Sequence, residues 1–397
     1  MQKKRTKIVC TIGPSCESKE ILKKMVEAGM NVARLNFSHG TYENHKMLIE
    51  NIREIEKETG EPIAIMQDLQ GPKIRVGLLP KEGVELKDGE LVTFDTSLSE
   101  YSEKIIPIGY ADLHQYLKKG ERMLLDDGRI EVNILSVENT KIKTKVVVGR
   151  CLTSNKGINV PDSKLTVRAL TEKDKADAKF GVEHGVDFIA LSFVTGTEDI
   201  LDLRYLVKQY EKDLNLKTEH PIRIIAKIER SDAVKNIEEI LGVVDGIMVA
   251  RGDLGIETPA KDVPLVQKKL IDTALEYARP VIVATQMLDS MQNNPRPTRA
   301  EVSDVANAVI DHTDAVMLSN ETATGNYPVE TVQTMSDIIS GAEKSVYDDL
   351  LVHEPKKKTS RVDEVISQMS RSLAEKIGAK VILAASLSGE TARLISR

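Results

Sequence analysis

Two stretches, Ile222-Arg-Ile-Ile-Ala-Lys-Ile-Glu229 and Gly246-Ile-Met-Val-Ala-Arg-Gly-Asp253, decide how the rest of the chain is read. Each is a mostly apolar run of strand length that ends in a cation and an anion two residues apart. Lys227 and Glu229 close the first run, Arg251 and Asp253 the second. On a strand, residues two apart project from the same face. A buried strand has no packing need for paired charges, and burying them without partners is costly. The runs therefore predict two strands that each deliver a cation and an anion at their C-terminal end. Carboxylates from neighbouring strands suit one hard divalent cation, and a lysine beside them suits a phosphate. These runs imply an anionic, phosphorylated ligand.

Similar runs recur on either side: Lys7–Ile12, Asn31–Phe37, Pro62–Leu69, Asp187–Phe193, Pro280–Gln286 and Ala315–Glu321. Helical patterns lie between them, at Glu20–Ala28, Tyr42–Thr59, Lys173–His184, Ala233–Leu241, Val263–Ala278 and Ser303–Ile310. A further helix is expected to begin near Thr258-Pro259. Apolar strands alternating with helices predict a parallel sheet covered by helices. Eight such strands predict an α/β fold closed as a (β/α)8 TIM barrel.

The alternation breaks once. Residues 70–167 carry short alternating runs at Gly83–Leu86, Leu91–Phe94, Arg122–Leu125, Ile130–Ile134 and Lys141–Val146. Lys87-Asp88-Gly89 and Asp126-Asp127-Gly128 read as hairpin turns. This segment is expected to be a small β-barrel lid domain inserted after the third strand. Its excision leaves 1–69 and 168–345, close to the ~250 residues of a typical barrel. Residues 346–397 read as a charged linker (His353–Ser360) and an incomplete C-terminal α/β domain. That domain comprises a helix at Val362–Ile377, a strand at Ala379–Ala385 and the start of another helix.

Composition excludes several classes. The net charge of −6 and the absence of Trp argue against nucleic-acid binding. No apolar run is long enough for a membrane span, and the basic N-terminus lacks the apolar core of a signal peptide. Three cysteines, Cys10, Cys16 and Cys151, read as free thiols of a cytoplasmic protein.

In a barrel of this kind the active site gathers at the C-terminal strand ends. The polar residues expected there are Arg34, Asn36, Ser38 and His39 from the second strand and Asp68 from the third. Ser192 comes from the fourth, Lys227 and Glu229 from the fifth, and Arg251 and Asp253 from the sixth. Thr285 and Gln286 come from the seventh, Ser319 and Glu321 from the eighth. Glu229 and Asp253 are hard oxygen ligands, Arg34 offers a planar fork for phosphate, and Lys227 is a point charge for a phosphoryl group in flight.

Seven motifs carry a resemblance. They are Arg34–Gly40, Gly71–Arg75, Ile225–Glu229, Met248–Gly255, Ala284–Met287, Pro297–Ala308 and Met317–Ala323. Together they resemble the pyruvate kinase family along the whole chain. The resemblance implies a barrel, a β lid and a C-terminal domain, and phosphoryl transfer between phosphoenolpyruvate and ADP as the last step of glycolysis. It implies Lys227 at the phosphoryl group in transfer, and Mg2+ (replaceable by Mn2+) on Glu229 and Asp253. Arg34, Lys227, Gly252, Asp253 and Thr285 would bind phosphoenolpyruvate. Asn36, Ser38, His39, Arg75 and the lid residue Lys156 would meet the phosphates of ADP or ATP. Thr285, with Ser319 and Glu321, would serve protonation of the enolate.

The chain departs from the family pattern at several positions. Many members bind K+ near Asn36, Ser38, Asp68 and Leu69. Lys73 stands where they carry Glu, and its ammonium is expected to replace that ion. His312 and Asn320 occupy positions usually held by glycine, which predicts strain near Ser319 and Glu321 if φ is positive there. Thr195 stands where arginine is usual. Glu390, in a loop resembling a sugar-phosphate site, argues against activation by a sugar phosphate. A homo-oligomer is expected, resting on barrel surfaces such as Pro297–Asn307. The incomplete C-terminal domain argues against the family's usual tetramer. Two rivals remain: a barrel aldolase with Lys227 as imine former, and a binding protein that keeps the site without turnover.

Overall fold

Eight parallel strands close into a ring: Lys7–Thr11, Val32–Asn36, Ala64–Asp68, Phe188–Leu191, Arg223–Ile228, Gly246–Ala250, Val281–Ala284 and Ala315–Leu318. The structure, a computed structural model, describes residues 4–163, 168–216, 221–348, 362–387 and 389–396. Each barrel strand pairs with the next, and the first pairs with the eighth through Lys7–Ala315 to Cys10–Leu318. Both faces of these strands are buried, which is why they read as continuous apolar runs. Val9, Met66, Ile225, Met248 and Met317 fill the interior. Ile8, Leu35, Ile65, Ile189 and Val283 belong to the core between strands and helices.

One device repeats four times at the N-terminal end of the barrel. The residue just before an even-numbered strand accepts a backbone N–H from the preceding odd-numbered strand. Asn31 Oδ1 takes Ile8 N–H at 3.0 Å, and Asp187 Oδ2 takes Ile65 N–H at 2.7 Å. Asp245 Oδ2 takes Ile224 N–H at 2.9 Å, and Asp314 Oδ2 takes Val281 N–H at 2.8 Å. Buried N–H groups must be paired, and these side chains satisfy the donors that precede the regular ladder. They also fix the register of each strand pair.

Sequence signals set the helix ends. Thr41 caps Tyr42–Thr59, which stops at Gly60 with φ 68°. Thr171 with Asp174, and Thr298 with Glu301, form capping boxes on Glu172–Glu183 and Arg299–Ile310. The stretch read as one helix at Ala233–Leu241 is two, Ser231–Lys235 and Ile237–Val243. The break falls at Asn236, whose side chain donates to Thr195 O at 2.9 Å. Thr197–Asp213 and Pro328–Glu343 are further helices that the periodicity did not reveal.

The insert forms a six-stranded sheet and a separate two-stranded ribbon. Asp126-Asp127-Gly128 joins Arg122–Leu125 to Ile130–Glu138 as an antiparallel hairpin. Lys87-Asp88-Gly89 is a turn but not a hairpin, because Val84–Glu85 pairs with Cys151–Leu152 and Leu91–Asp95 with Lys141–Val148. The insert has its own core around Phe94, Ile106, Met123, Ile130 and Val132. Beyond the barrel, Val362–Ile377 is helical as expected. Ala379–Ala385 is not a strand, since it pairs with no strand among the described residues. The linker His353–Ser360 and the end of the insert at 164–167 lie outside the described residues.

His312 adopts φ 65°, the left-handed conformation that glycine favours. The strain sits in the turn between helix Arg299–Ile310 and the eighth strand, at the end of the barrel opposite Ser319 and Glu321. Asn320 opens a short helix, Asn320–Ala323, and has no positive φ. The expected strain beside Ser319 is therefore displaced to the far end of the strand.

Two stability predictions follow from these contacts. His312→Gly should raise unfolding free energy by about 1 kcal/mol in urea titration. Asp245→Ala should lower it by roughly 1–3 kcal/mol, because Ile224 N–H is buried and loses its acceptor.

Candidate active site

The C-terminal strand ends converge on a buried cluster of charges. Arg34, on the second strand, donates through Nε to Asp68 Oδ2 at 2.7 Å and through Nη1 to Thr11 Oγ1 at 2.9 Å. Lys227 Nζ lies 2.9 Å from Glu229 Oε1 and 3.2 Å from Asp68 Oδ1. It also donates to Ser192 Oγ at 2.8 Å. Ser192 Oγ in turn donates to the carbonyl of Leu69 at 2.6 Å. Glu229 Oε2 accepts Phe193 N–H at 2.7 Å. Phe193 reaches it by taking φ 56°, and its ring sits where a Cβ on Gly71 would clash at 2.8 Å.

The electrostatics follow from burial and partners. Burial alone would lower the Lys227 pKa, but the carboxylates of Asp68 and Glu229 outweigh it and raise the ammonium above its ordinary range. Burial pushes Asp68 up, yet Arg34 and Lys227 pull it below the usual carboxylate value. Glu229 is raised, first by burial and then by repulsion from Asp253, with Lys227 opposing. Two carboxylates that repel one another are a donor set that a hard divalent cation would relieve. Glu229 and Asp253 are thus a donor pair whose chemistry suits a hard divalent cation. Among the described residues no cluster of three or more His, Cys, Asp or Glu side chains could hold a metal.

The second diagnostic run folds differently from its reading. Its strand stops at Ala250, and Arg251–Glu257 is a helix. The helix therefore starts seven residues before Thr258. About 100° of rotation per helical residue puts Arg251 and Asp253 on different faces, so they are not a side-by-side pair. Asp253 faces Lys73, whose Nζ is 3.9 Å from Oδ1. Arg251 turns to Asp304 at 2.7 Å and to the carbonyl of Thr285 at 2.8 Å. Gly252 N–H donates to Thr285 Oγ1 at 2.8 Å, and that hydroxyl donates to Ala284 O at 2.6 Å.

Lys73 was expected beside Asn36, Ser38 and Asp68. Instead it forms an ion pair with Asp253, and its stem packs where a Cβ on Gly157 of the insert would meet Cε at 3.1 Å. The carboxylate of Asp68 is taken up by Arg34, Lys227 and Ser192. Glu321 is buried, its pKa raised by that burial, and its two oxygens accept Leu288 N–H at 3.2 Å and Ser319 N–H at 2.7 Å. This geometry shapes the loop after the seventh strand.

The residues read as nucleotide contacts lie on two elements. Asn36 Oδ1 accepts Ser38 N–H at 3.1 Å, and the His39 carbonyl accepts from His45 Nε2 at 2.9 Å. On the insert side, Arg75 donates to Asn155 O at 2.9 Å, and Lys156 pairs with Asp126 at 2.7 Å. Three contributors were missed in the sequence. Thr11 holds Arg34, and its position at the end of the first strand was the available signal. Phe193 offers a backbone N–H, which no side-chain pattern reveals. Lys173 donates to the Phe37 carbonyl at 2.7 Å, inside the loop that carries Asn36, Ser38 and His39.

Comparison with known proteins identifies the family. The family model "Pyruvate kinase, barrel domain" matches residues 3–332. The chain is 46% identical over 398 residues to "Pyruvate kinase 2" of Synechocystis sp., covering 99% of this chain and 66% of that protein. It is 46% identical over 398 residues to a pyruvate kinase of Geobacillus stearothermophilus, covering 100% of this chain and 67% of that one. The chain thus spans about two thirds of the length of these relatives. A crystal structure of a pyruvate kinase from Cryptosporidium parvum superposes with a TM-score of 0.91 at 37% identity. That match covers 99% of this chain and 81% of the other.

Removing Asp68 should expose how much the cluster depends on it. Asp68→Asn leaves Arg34 and Lys227 without their shared carboxylate and should cost roughly 3–5 kcal/mol of stability, read by thermal unfolding.

Proposed function

The chain belongs to the pyruvate kinase family, and we propose that it transfers the phosphoryl group of phosphoenolpyruvate to ADP, giving pyruvate and ATP. The observation that carries this reading is the buried Lys227 ammonium held between Asp68 and Glu229 at the mouth of the barrel. Phosphoryl transfer needs positioning and charge neutralisation more than a nucleophilic side chain. The enol C–O–P linkage breaks at phosphorus while a bond forms to the terminal phosphate of ADP. The released enolate takes a proton at carbon to become pyruvate.

Each residue has a role in this reading. Lys227 neutralises the phosphoryl group as it moves. Arg34, already anchored by Asp68 and Thr11, turns its remaining donors to the substrate phosphate. Glu229 and Asp253 would hold Mg2+, which would supply positive charge against the anionic substrates. Thr285 and the Gly252–Asp253 backbone position phosphoenolpyruvate. Glu321 and Ser319 support the loop that carries Thr285, beside the protonation step. Asn36, Ser38, His39, Arg75 and Lys156 meet the nucleotide phosphates.

The insert serves as a lid over the nucleotide, with 1–69 and 168–345 as the catalytic unit and 346–397 outside it. Closure excludes water and suppresses hydrolysis. Lys156 leaves Asp126 to reach the phosphates. Lys73 supplies the fixed positive charge that other members take from K+, now beside Asp253. The protein works in the cytoplasm as a homo-oligomer. An imine mechanism on Lys227 is disfavoured by its raised pKa, because an imine former must lose its proton.

A coupled assay of pyruvate formation from phosphoenolpyruvate and ADP with Mg2+ tests the reading. Wild type should turn over at equal rates in potassium and sodium. Lys227→Ala should lose about 100- to 1,000-fold or more in kcat. Absence of turnover in the wild type would refute the activity, and a strict need for potassium would refute the role given to Lys73.

A further inference from the structure

We propose that Arg251 is a positioning residue that clamps Thr285 in its reactive conformation; the inference rests on Thr285 facing the substrate. Thr285 and Gln286 have φ 73° and 53°, two consecutive non-glycine residues in the left-handed region. A β-branched residue there is an outlier that its surroundings must enforce. Arg251 is the group that enforces it. Nη2 donates to Thr285 O at 2.8 Å and to Gln286 O at 3.2 Å, and Nε donates to Thr285 O at 3.2 Å.

The other end of the guanidinium is anchored. Nη1 lies 2.8 Å from Asp304 Oδ1 and 2.7 Å from Oδ2, and 3.4 Å from Gln267 Oε1. Its donors are thereby committed to the protein and not to the substrate. The next residue completes the grip, since Gly252 N–H holds Thr285 Oγ1 at 2.8 Å. Carbonyl and hydroxyl of one threonine are therefore gripped by adjacent residues of one helix. Asp304 belongs to helix Arg299–Ile310, which holds the same loop again through Glu301, the acceptor for Ser290 N–H and Oγ. Lysine could not replace Arg251, because a single ammonium lacks the planar fork that reaches two carbonyls and a carboxylate together.

The test compares wild type with Arg251→Met, Asp304→Asn and Arg251→Met/Gln286→Gly. The readouts are kcat and KM for pyruvate formation and amide hydrogen exchange at Gly252 and Gln286–Ser290. Arg251→Met should lower kcat roughly 10- to 100-fold, leave KM for ADP unchanged, and speed exchange at Gly252. Asp304→Asn should do the same more weakly. Gln286→Gly should restore part of the lost kcat, because glycine takes the left-handed backbone without a clamp. Unchanged exchange at Gly252 in folded Arg251→Met overturns the proposal, as does a double variant with no recovery. If Arg251→Met does not fold, Asp304→Asn with wild-type exchange and kcat overturns it. A wild type without turnover refutes the substrate reading alone, and the exchange comparison still decides the clamp.

Discussion

Arg34, Asp68, Lys227 and Glu229 form two cations and two carboxylates sharing one buried mouth, and the arrangement of the site depends on their mutual neutralisation. Each of these charges would be prohibitively costly there alone. Together they hold Lys227 protonated, draw Arg34 against the third strand, and leave Glu229 strained by Asp253. The cluster is a prepared electrostatic environment. In the proposed reaction, negative charge would move past hydrogen bonds already formed within the protein, which keeps reorganisation small.

The barrel explains how such a cluster is assembled from distant parts of the chain. Arg34, Asp68 and Lys227 come from three strands, and Ser192 directly follows a fourth; their ends lie side by side only because the ring closes. The four side-chain staples at the opposite end fix strand register. A slip of one residue would turn Lys227 from the interior to the helix layer. Stability and chemistry are thus placed at opposite ends of the same strands. The strain at His312 belongs to the first end, and the strain at Phe193, Thr285 and Gln286 to the second. Only the second group lies beside the charged cluster, where Phe193 turns its N–H to Glu229.

Much of this was legible because periodicity and strand-end polarity are local signals. The eight strands, the inserted β segment and the pair Lys227–Glu229 could all be read from spacing. The Arg251–Asp253 pair misled, since an apolar run does not announce where a strand turns into a helix. The strand's last residue, Ala250, is followed directly by the helix's first, Arg251. Ala379–Ala385 has strand composition, but a strand needs a partner to pair with. Thr11 and the Phe193 N–H were hidden because their contribution lies in contacts between neighbouring strand ends, whose residues are far apart in sequence.

The most direct measurement is 31P NMR of phosphoenolpyruvate, ADP and Mg2+ with the purified chain. The account predicts that the phosphoenolpyruvate resonance falls as the γ-phosphate resonance of ATP rises in equal amount, without inorganic phosphate. Inorganic phosphate in place of ATP, or an unchanged spectrum, would contradict it.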